Sequence, residues 1–224
     1  MYTIKMQILD MKLHGGLPQS RERLFIVGLE RRYTTKQRAF KWPPTTQMQD
    51  IRSILDDDSL LPSSDQVWDR KRNNTTALSN FLGAMEEISR DQLDPDQCVA
   101  DLGGGWNKKR HGGSSHNLAV GYSPCVTRTR CGQGMYYYFG KNRHHFLSSK
   151  ELLRLQGFSS RFRRPRAVSS VRFNQCIGNA WPVTVVERLV SRIFVAVGLL
   201  QNEDVAEDTT SGSSKDLDLP FEIN

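Results

Sequence analysis

Apolar and polar residues alternate from Tyr2 to Ile8, with Tyr2, Ile4, Met6 and Ile8 separated by Thr3, Lys5 and Gln7. A period of two predicts a strand. Gly15, Gly16 and Pro18 then mark a turn, and the run Leu24-Phe25-Ile26-Val27 ending at Gly28 suits a buried strand. Two strands so close, joined by a glycine-rich turn, can pair antiparallel. Gln37 to Thr46 holds Pro43 and Pro44 and reads as a loop. Spacings of three and four at Leu78, Phe81, Leu82, Met85 and Ile88 predict a helix with those residues as its stripe. Periodicity disappears between Asp91 and Asn142, which predicts irregular structure with a few short strands. Ser148 and Glu151 have capping-box spacing, Leu152, Leu153 and Leu155 continue that helix, and Gly157 stops it. The clearest helix carries Val183, Val186, Leu189, Val190, Ile193, Phe194 and Val197 on one stripe, between Pro182 and Gly198. Beyond Gln201 the chain is acidic, Ser-rich and aperiodic, the pattern of a disordered tail.

Composition narrows the class. With 38% hydrophobic and 25% charged residues in 224, the chain can bury a core, as one large domain or two small ones. No stretch approaches the roughly 18 to 20 apolar residues that cross a bilayer, and Met1 to Asp10 lacks a signal-peptide layout. These features read as a soluble intracellular protein. Four cysteines, Cys98, Cys125, Cys131 and Cys176, are too few for a disulfide scaffold. None has the close spacing of zinc ligands, so all four read as free thiols and no metal is expected. The adjacent pair His144-His145 reads as polar surface.

A net charge of +7 favours a polyanionic partner. Its distribution is more informative: acidic residues gather at Asp56, Asp57 and Asp58 and in the tail, whereas Arg161, Arg163, Arg164, Arg166 and Arg172 crowd one stretch. A solvated loop is the plain alternative for that stretch.

Three segments carry a resemblance. Pro18-Gln19-Ser20-Arg21-Glu22-Arg23 leads into the Leu24–Gly28 strand. Leu147-Ser148-Ser149-Lys150-Glu151 leads into Arg154-Leu155-Gln156-Gly157-Phe158. Last comes Gln175-Cys176-Ile177-Gly178-Asn179-Ala180-Trp181-Pro182-Val183. In this order they resemble the Gln-x-Arg-x-Arg, Arg-Leu-Gln-Gly-Phe and Gln-x-Gly-Asn motifs of cytosine-5 DNA methyltransferases. Between the first and second, that family inserts its target recognition domain. Pro124-Cys125-Val126-Thr127-Arg128-Thr129-Arg130, followed by Gly132, Gly134 and Tyr136, is similar to that domain's Thr-bearing, glycine-flanked loop. Glycines allow close backbone approach to a duplex, and Thr and Arg can bond base edges and phosphates.

The resemblance implies an α/β fold, the C-terminal part of a Rossmann-like S-adenosylmethionine-dependent methyltransferase domain with a small irregular recognition domain inserted. It divides the chain into residues 1–33 (methyltransferase strands), 34–146 (variable region and recognition domain), 147–200 (closing helices) and the tail 201–224. In the family's chemistry a cysteine thiolate attacks carbon 6 of a flipped cytosine, and carbon 5 takes the methyl group. By resemblance Arg23 holds the cytosine, Gln19 and Arg21 order the site, and Asn179 and Ala180 line the cofactor pocket. Thr127, Arg128, Thr129, Arg130, Gly132 and Gly134 read DNA. Arg154 and Gln156 belong to the DNA side by fixing the recognition domain on the catalytic one. The bland alternatives are surface charge for Arg21 and Arg23, a helix stop for Gln156-Gly157 and a helix cap for Asn179.

The family's cofactor loop, its Pro-Cys-Gln nucleophile and its Glu-Asn-Val motif find no counterpart in this sequence. Pro124-Cys125 has Val126 in place of Gln and lies in the recognition region. Asp101-Leu102-Gly103-Gly104-Gly105 is only loosely similar to the cofactor loop. The expectation is therefore a transferase component inactive alone, partnered by double-stranded DNA and by a complementing chain carrying the catalytic half. Its compartment would be the nucleus in a eukaryote and the cytoplasm in a bacterium. The alternatives are a non-catalytic DNA-binding relative and a tRNA cytosine-5 methyltransferase relative.

Overall fold

The computed structural model describes residues 1–33, 39–56, 74–104 and 117–201. The alternating N-terminal segment forms β1 (Tyr2–Asp10), which pairs antiparallel with β2 (Glu22–Glu30) in a register running from Tyr2↔Glu30 to Asp10↔Glu22. The connection holds one helical turn, α1 (Met11–Gly15), capped by the Asp10 carboxylate on Lys12 N–H and stopped by Gly16 at φ 67°. Residues 39–50 have no regular structure, as Pro43 and Pro44 lead one to expect.

Only one face of this hairpin is covered. Leu9, Phe25, Val27 and Leu29 pack with Phe40 against the closing helix α6 (Val183–Val197) through Val185, Leu189 and Ala196. The other face presents Tyr2, Ile4, Met6, Ile8, Leu24 and Ile26, each at least 60% exposed. The apolar run at Leu24–Val27 has the composition of a strand covered on both sides. Within the described residues half of that covering is supplied.

Helix α2 (Thr75–Arg90) forms with Asn74 capping Ala77 N–H, and its buried face keeps Ile88 and Phe81 of the expected stripe but is rotated toward the smaller residues. Ala77, Asn80, Ala84 and Ile88 face inward, while Leu82 and Met85 remain about half exposed (58% and 48%). Small residues let the helix sit close, and Asn80 fixes its rotation by donating to the carbonyls of Leu102 and Gly104. Tertiary hydrogen bonding thus decides the face over the stripe of larger residues.

The aperiodic region contains a second sheet. β3 (Cys98–Asp101), β4 (Leu118–Val120), β5 (Tyr136–Tyr138) and β6 (His145–Phe146) are ordered β4-β3-β5-β6, all antiparallel. Strands this short are covered on both faces. Cys98, Ala100 and Tyr137 join α2 in one core, and Val99, Tyr136 and Tyr138 join the C-terminal helices in another. A helix that periodicity did not reveal, α3 (Arg128–Gln133), lies between β4 and β5, and Gly134 ends it at φ 61°.

Then come α4 (Ser149–Leu155), with the expected Ser148/Glu151 capping box and Gly157 at φ 81°, and α5 (Ser170–Asn179), capped by Ser169. Pro182 and Gly198 bound α6 as expected. All four cysteines are free thiols. Burial pushes Cys98 up to about 11 and Cys131 up to about 12, which leaves both protonated and unreactive near neutrality. The acidic tail after Gln201 lies outside the described residues; among the described residues no helix is long and apolar enough to cross a membrane.

Candidate active site

The motif segments meet around Gln19 and Arg21, and Arg21 joins the first and third to the recognition segment. Despite its charge this side chain is only 4% exposed. Its guanidinium donates to the carbonyls of Val126 at 2.5 Å, Ala180 at 2.9 Å and Gly178 at 3.4 Å. One planar fork thereby joins the start of β2, the segment before α3 and the end of α5, a geometry that a lysine ammonium cannot reproduce. Burial lowers the Arg21 pKa and the nearby Arg23 lowers it further, yet an arginine remains cationic at neutral pH.

Gln19, fully buried, completes the junction. Its Nε2 donates to Leu155 O at 3.0 Å and its Oε1 accepts from Val126 N–H at 3.2 Å. Backbone bonds from Ser20 N to Ser123 O (3.0 Å) and from Ser123 N to Pro18 O (2.8 Å) hold the same two strands together. Gln156, also fully buried, donates to Ile177 O at 3.1 Å, and its own carbonyl accepts from Val183 N–H at 3.0 Å. Its Oε1 has no hydrogen-bond partner among the described residues. A residue with no exposed surface cannot touch a duplex, so Gln156 is a spacer between α4 and α6 rather than a DNA contact.

Arg154 is likewise committed internally. It donates to Ile54 O at 2.7 Å and to Asp56 Oδ1 at 2.5 Å, and Ser148 Oγ donates to the other Asp56 oxygen at 2.7 Å. Burial by itself would raise the Asp56 carboxyl. The Arg154 and Ser148 hydrogen bonds outweigh it and hold the group below the usual carboxylate range.

Arg23, two residues after Arg21, differs from it in exposure. It is exposed, donates to Glu22 O at 2.6 Å and approaches Cys125 Sγ at 3.8 Å, while Arg21 approaches the same sulfur at 3.7 Å. Residues two apart on an extended segment share a side, and both arginines reach Cys125; the difference is one of depth, Arg21 being enclosed by Val126, Gly178 and Ala180 while Arg23 lies exposed beside them. The plain reading of both as surface charges fails for Arg21.

On the recognition side Tyr136 pins the approach to α3, accepting from Thr127 N–H at 2.9 Å and donating to Cys125 O at 2.8 Å. Thr127, Arg128 and Thr129 are exposed. Arg130 is half-buried in an ion pair with Asp101 at 3.4 Å. Both glycines have roles inside the fold. A Cβ at Gly132 would sit 2.7 Å from Gln175 Cγ, and Gly134 supplies the left-handed turn that ends α3. Gly178 is tighter still, since its Cβ would lie 2.4 Å from the Thr127 backbone. No larger residue fits, and the glycine of the third motif is what lets α5 lie against the recognition segment.

Sequence reasoning missed one polar centre. Glu151 is fully buried and accepts from Ser148 N (2.7 Å), Asp56 N (2.9 Å) and His145 Nε2 (2.9 Å). His145, read as polar surface, is 6% exposed. The capping-box spacing pointed to Glu151 but could not reveal the long-range partners.

Asn179, the last residue of α5, is exposed, and Ala180 uses its carbonyl on Arg21. Trp181 follows, 68% exposed and edge-on to Phe25, at an apolar groove of about 320 Å³ between β2 and α6. For S-adenosylmethionine these groups fit one rim of a pocket, with an amide donor and an aromatic face. The groove itself offers no polar partner for ribose or methionine.

With this geometry in view, the relatives are informative. Residues 1–195 match the family of C-5 cytosine-specific DNA methylases. The type II methyltransferase M.HaeII of Haemophilus aegyptius is 27% identical over 199 residues, 88% of this chain and 52% of its own length. M.NgoBI of Neisseria gonorrhoeae is 29% identical over 199 residues, 87% and 53% respectively. The solved Entamoeba histolytica methyltransferase EhMeth aligns at 16% identity with a TM-score of 0.48, over 86% of this chain and 53% of that one. The S. pombe Dnmt2 methyltransferase aligns at 16% identity with a TM-score of 0.45, over 86% and 56%. The chain spans about half the length of the curated relatives it matches.

Proposed function

Because this chain belongs to the C-5 cytosine-specific DNA methylase family, we propose that it is the DNA-reading and base-holding half of a cytosine-5 methyltransferase. Membership implies S-adenosylmethionine as methyl donor. The target atoms of cytosine are shielded within a duplex, so the base has to be flipped out before a nucleophile reaches carbon 6.

One observation carries the reading: Gln19 and Arg21 together tie the first motif segment to the second, the third and the recognition segment, while Arg23 stays exposed at their edge. In the proposed complex Arg23 donates to the flipped cytosine and holds the ring. Gln19 and Arg21 are positioning residues that fix β2 against the recognition segment. Thr127, Arg128 and Thr129, on the exposed start of α3, contact the duplex, and Arg130 joins them if it leaves Asp101. Arg154 and Gln156 act indirectly, by fixing the elements behind α4. Asn179 borders the cofactor, which when bound supplies the methyl group.

The second part of the proposal concerns a complement. The outer face of β1 and β2 is apolar, and among the described residues β2 pairs along one edge only. Such a surface suits further strands and a covering layer. We assign that place to the polypeptide bearing the nucleophilic cysteine, whether in a separate chain or in the same one. Methyl transfer from tritiated S-adenosylmethionine to duplex DNA tests this, using the chain alone and mixed with the N-terminal half of a type II relative. Transfer only in the mixture is expected, with Arg23→Ala lowering it at least 100-fold. Transfer by the chain alone would overturn the division of labour. Duplex binding without transfer in any mixture would favour the non-catalytic reading.

A further inference from the structure

From Leu152 to Val186 the chain contains no Asp or Glu but six arginines. Arg154 is taken by Asp56. The other five, Arg161, Arg163, Arg164, Arg166 and Arg172, are all exposed. Among the described residues, no carboxylate pairs with Arg163, Arg164, Arg166 or Arg172. Clustered like charges repel and favour an unfolded or extended segment.

This segment is nevertheless held in place. Phe162 is inserted between Phe158 (centroids 4.9 Å) and Phe173 (6.2 Å, rings within 12° of parallel). Turns close from Ser159 to Phe162 and from Pro165 to Val168, each by a 3.0 Å backbone bond. Arg163 and Arg164 also donate to the carbonyls of Ser160 and Val168. The fold therefore displays these cations on an anchored loop.

Its location points to the ligand. The loop runs directly into α5, which lies antiparallel to α3, with Gly178 against Thr127 and Gln175 against Gly132. Arg172 is one turn before Gln175 and so lies toward the Gly132 end of α3, about 10 Å along the helix axis from the exposed Arg128 and Thr129 of the proposed DNA contact. We propose that Arg163, Arg164, Arg166 and Arg172 form a second, sequence-independent surface that binds the phosphate backbone of duplex DNA beside the recognition helix. Guanidinium forks match phosphate oxygens, and each neutralised phosphate releases counterions. The inference rests on the DNA reading above and adds a surface that the motifs do not include.

The test is the salt dependence of binding to a fluorescent duplex of about 25 base pairs, with the full chain and no cofactor. Each lost phosphate contact should flatten the log–log slope by about 0.9. Arg163→Ala/Arg164→Ala/Arg166→Ala is expected to flatten it by about 2 to 3, equally for unrelated sequences. The corresponding triple lysine variant should keep most of the wild-type slope. A triple alanine variant with the wild-type slope would overturn the proposal and leave the DNA reading standing, as would a lysine variant that fails like the alanine one. A wild-type chain with no salt-dependent duplex binding would end the DNA reading itself. Vesicles of anionic lipid captured by wild type but not by the alanine variant, with duplex slopes unchanged, would reassign the loop to a membrane surface.

Discussion

The two sheets of this molecule solve the same problem to different extents. Sheet β4-β3-β5-β6 has strands of two to four residues, yet alternate side chains enter separate cores on its two faces. Sheet β1-β2 has two strands of nine residues and, among the described residues, is covered on one face only. Length and strand propensity therefore do not make a sheet self-sufficient, whereas covering layers do. The short-stranded sheet has its layers from α2 and the C-terminal helices. The long-stranded hairpin has α6 and an open apolar face, and Arg21 fastens the two regions together.

The sharpest way to break this contrast is to truncate one aromatic in each sheet. Tyr137 is 5% exposed, with ring centroids of Phe81, Phe139 and Phe146 at 5.4, 5.0 and 4.9 Å. Tyr137→Ala should cost about 3 to 5 kcal/mol in urea unfolding. Tyr2→Ala, on the open face at 63% exposure, should cost less than about 0.5 kcal/mol. Equal costs would mean that the two sheets are covered alike.

Arg21 comes next. Arg21→Ala leaves three carbonyls without their donor and should destabilise by about 3 kcal/mol. Arg21→Lys should recover little of that, because an ammonium cannot span the same carbonyls. Arg23→Ala, with its exposed side chain, should leave the melting curve nearly unchanged while abolishing base holding. A stability loss at Arg23 as large as that at Arg21 would place both residues in the framework.

A smaller effect should appear in acid. Asp56 has its folded pKa held below the ordinary 3.8, so its contribution is present above that pH and lost as pH falls through the lower folded value. Arg154→Ala removes the main opposition to burial and should move the acid limb of unfolding to higher pH. Asp56→Asn should flatten it. An acid limb identical in wild type and Arg154→Ala would show that the Arg154–Asp56 pair contributes no linkage.

What could be read in advance follows the same division. β1, β2, α4 and α6 were legible because period, capping residues and stop glycines are local signals. The resemblance singled out Gln19, Arg21 and Gln156 but not the carbonyls they bind, which lie on Val126, Leu155, Ile177, Gly178 and Ala180. The rotation of α2 and the burial of His145 were not legible, since Asn80 and Glu151 act on partners 22 and 95 residues away or more, beyond any local pattern, save for His145 itself at six. The internal need for Gly132 and Gly134 was not legible, because it lies in Gln175 and in a left-handed backbone. Arg21 and Arg23, identical in type and two residues apart, acquire opposite environments only once Val126 and Ala180 arrive.

The smallest expected change in stability is also the most discriminating for the hairpin. Ile26 lies opposite Met6 on the open face, 62% exposed, and lines the groove that Trp181 overhangs. Ile26→Lys should alter the urea midpoint of the isolated chain by no more than about 0.5 kcal/mol, because no covered contact is lost. It should reduce self-association in sedimentation velocity, since a charge on an open strand opposes edge-to-edge pairing. In the mixture with a catalytic half it should abolish methyl transfer, because a lysine would be buried without a partner at the new interface. Transfer at the wild-type level would mean that this face stays in water in the active enzyme, and the hairpin's apolar surface would then need another occupant.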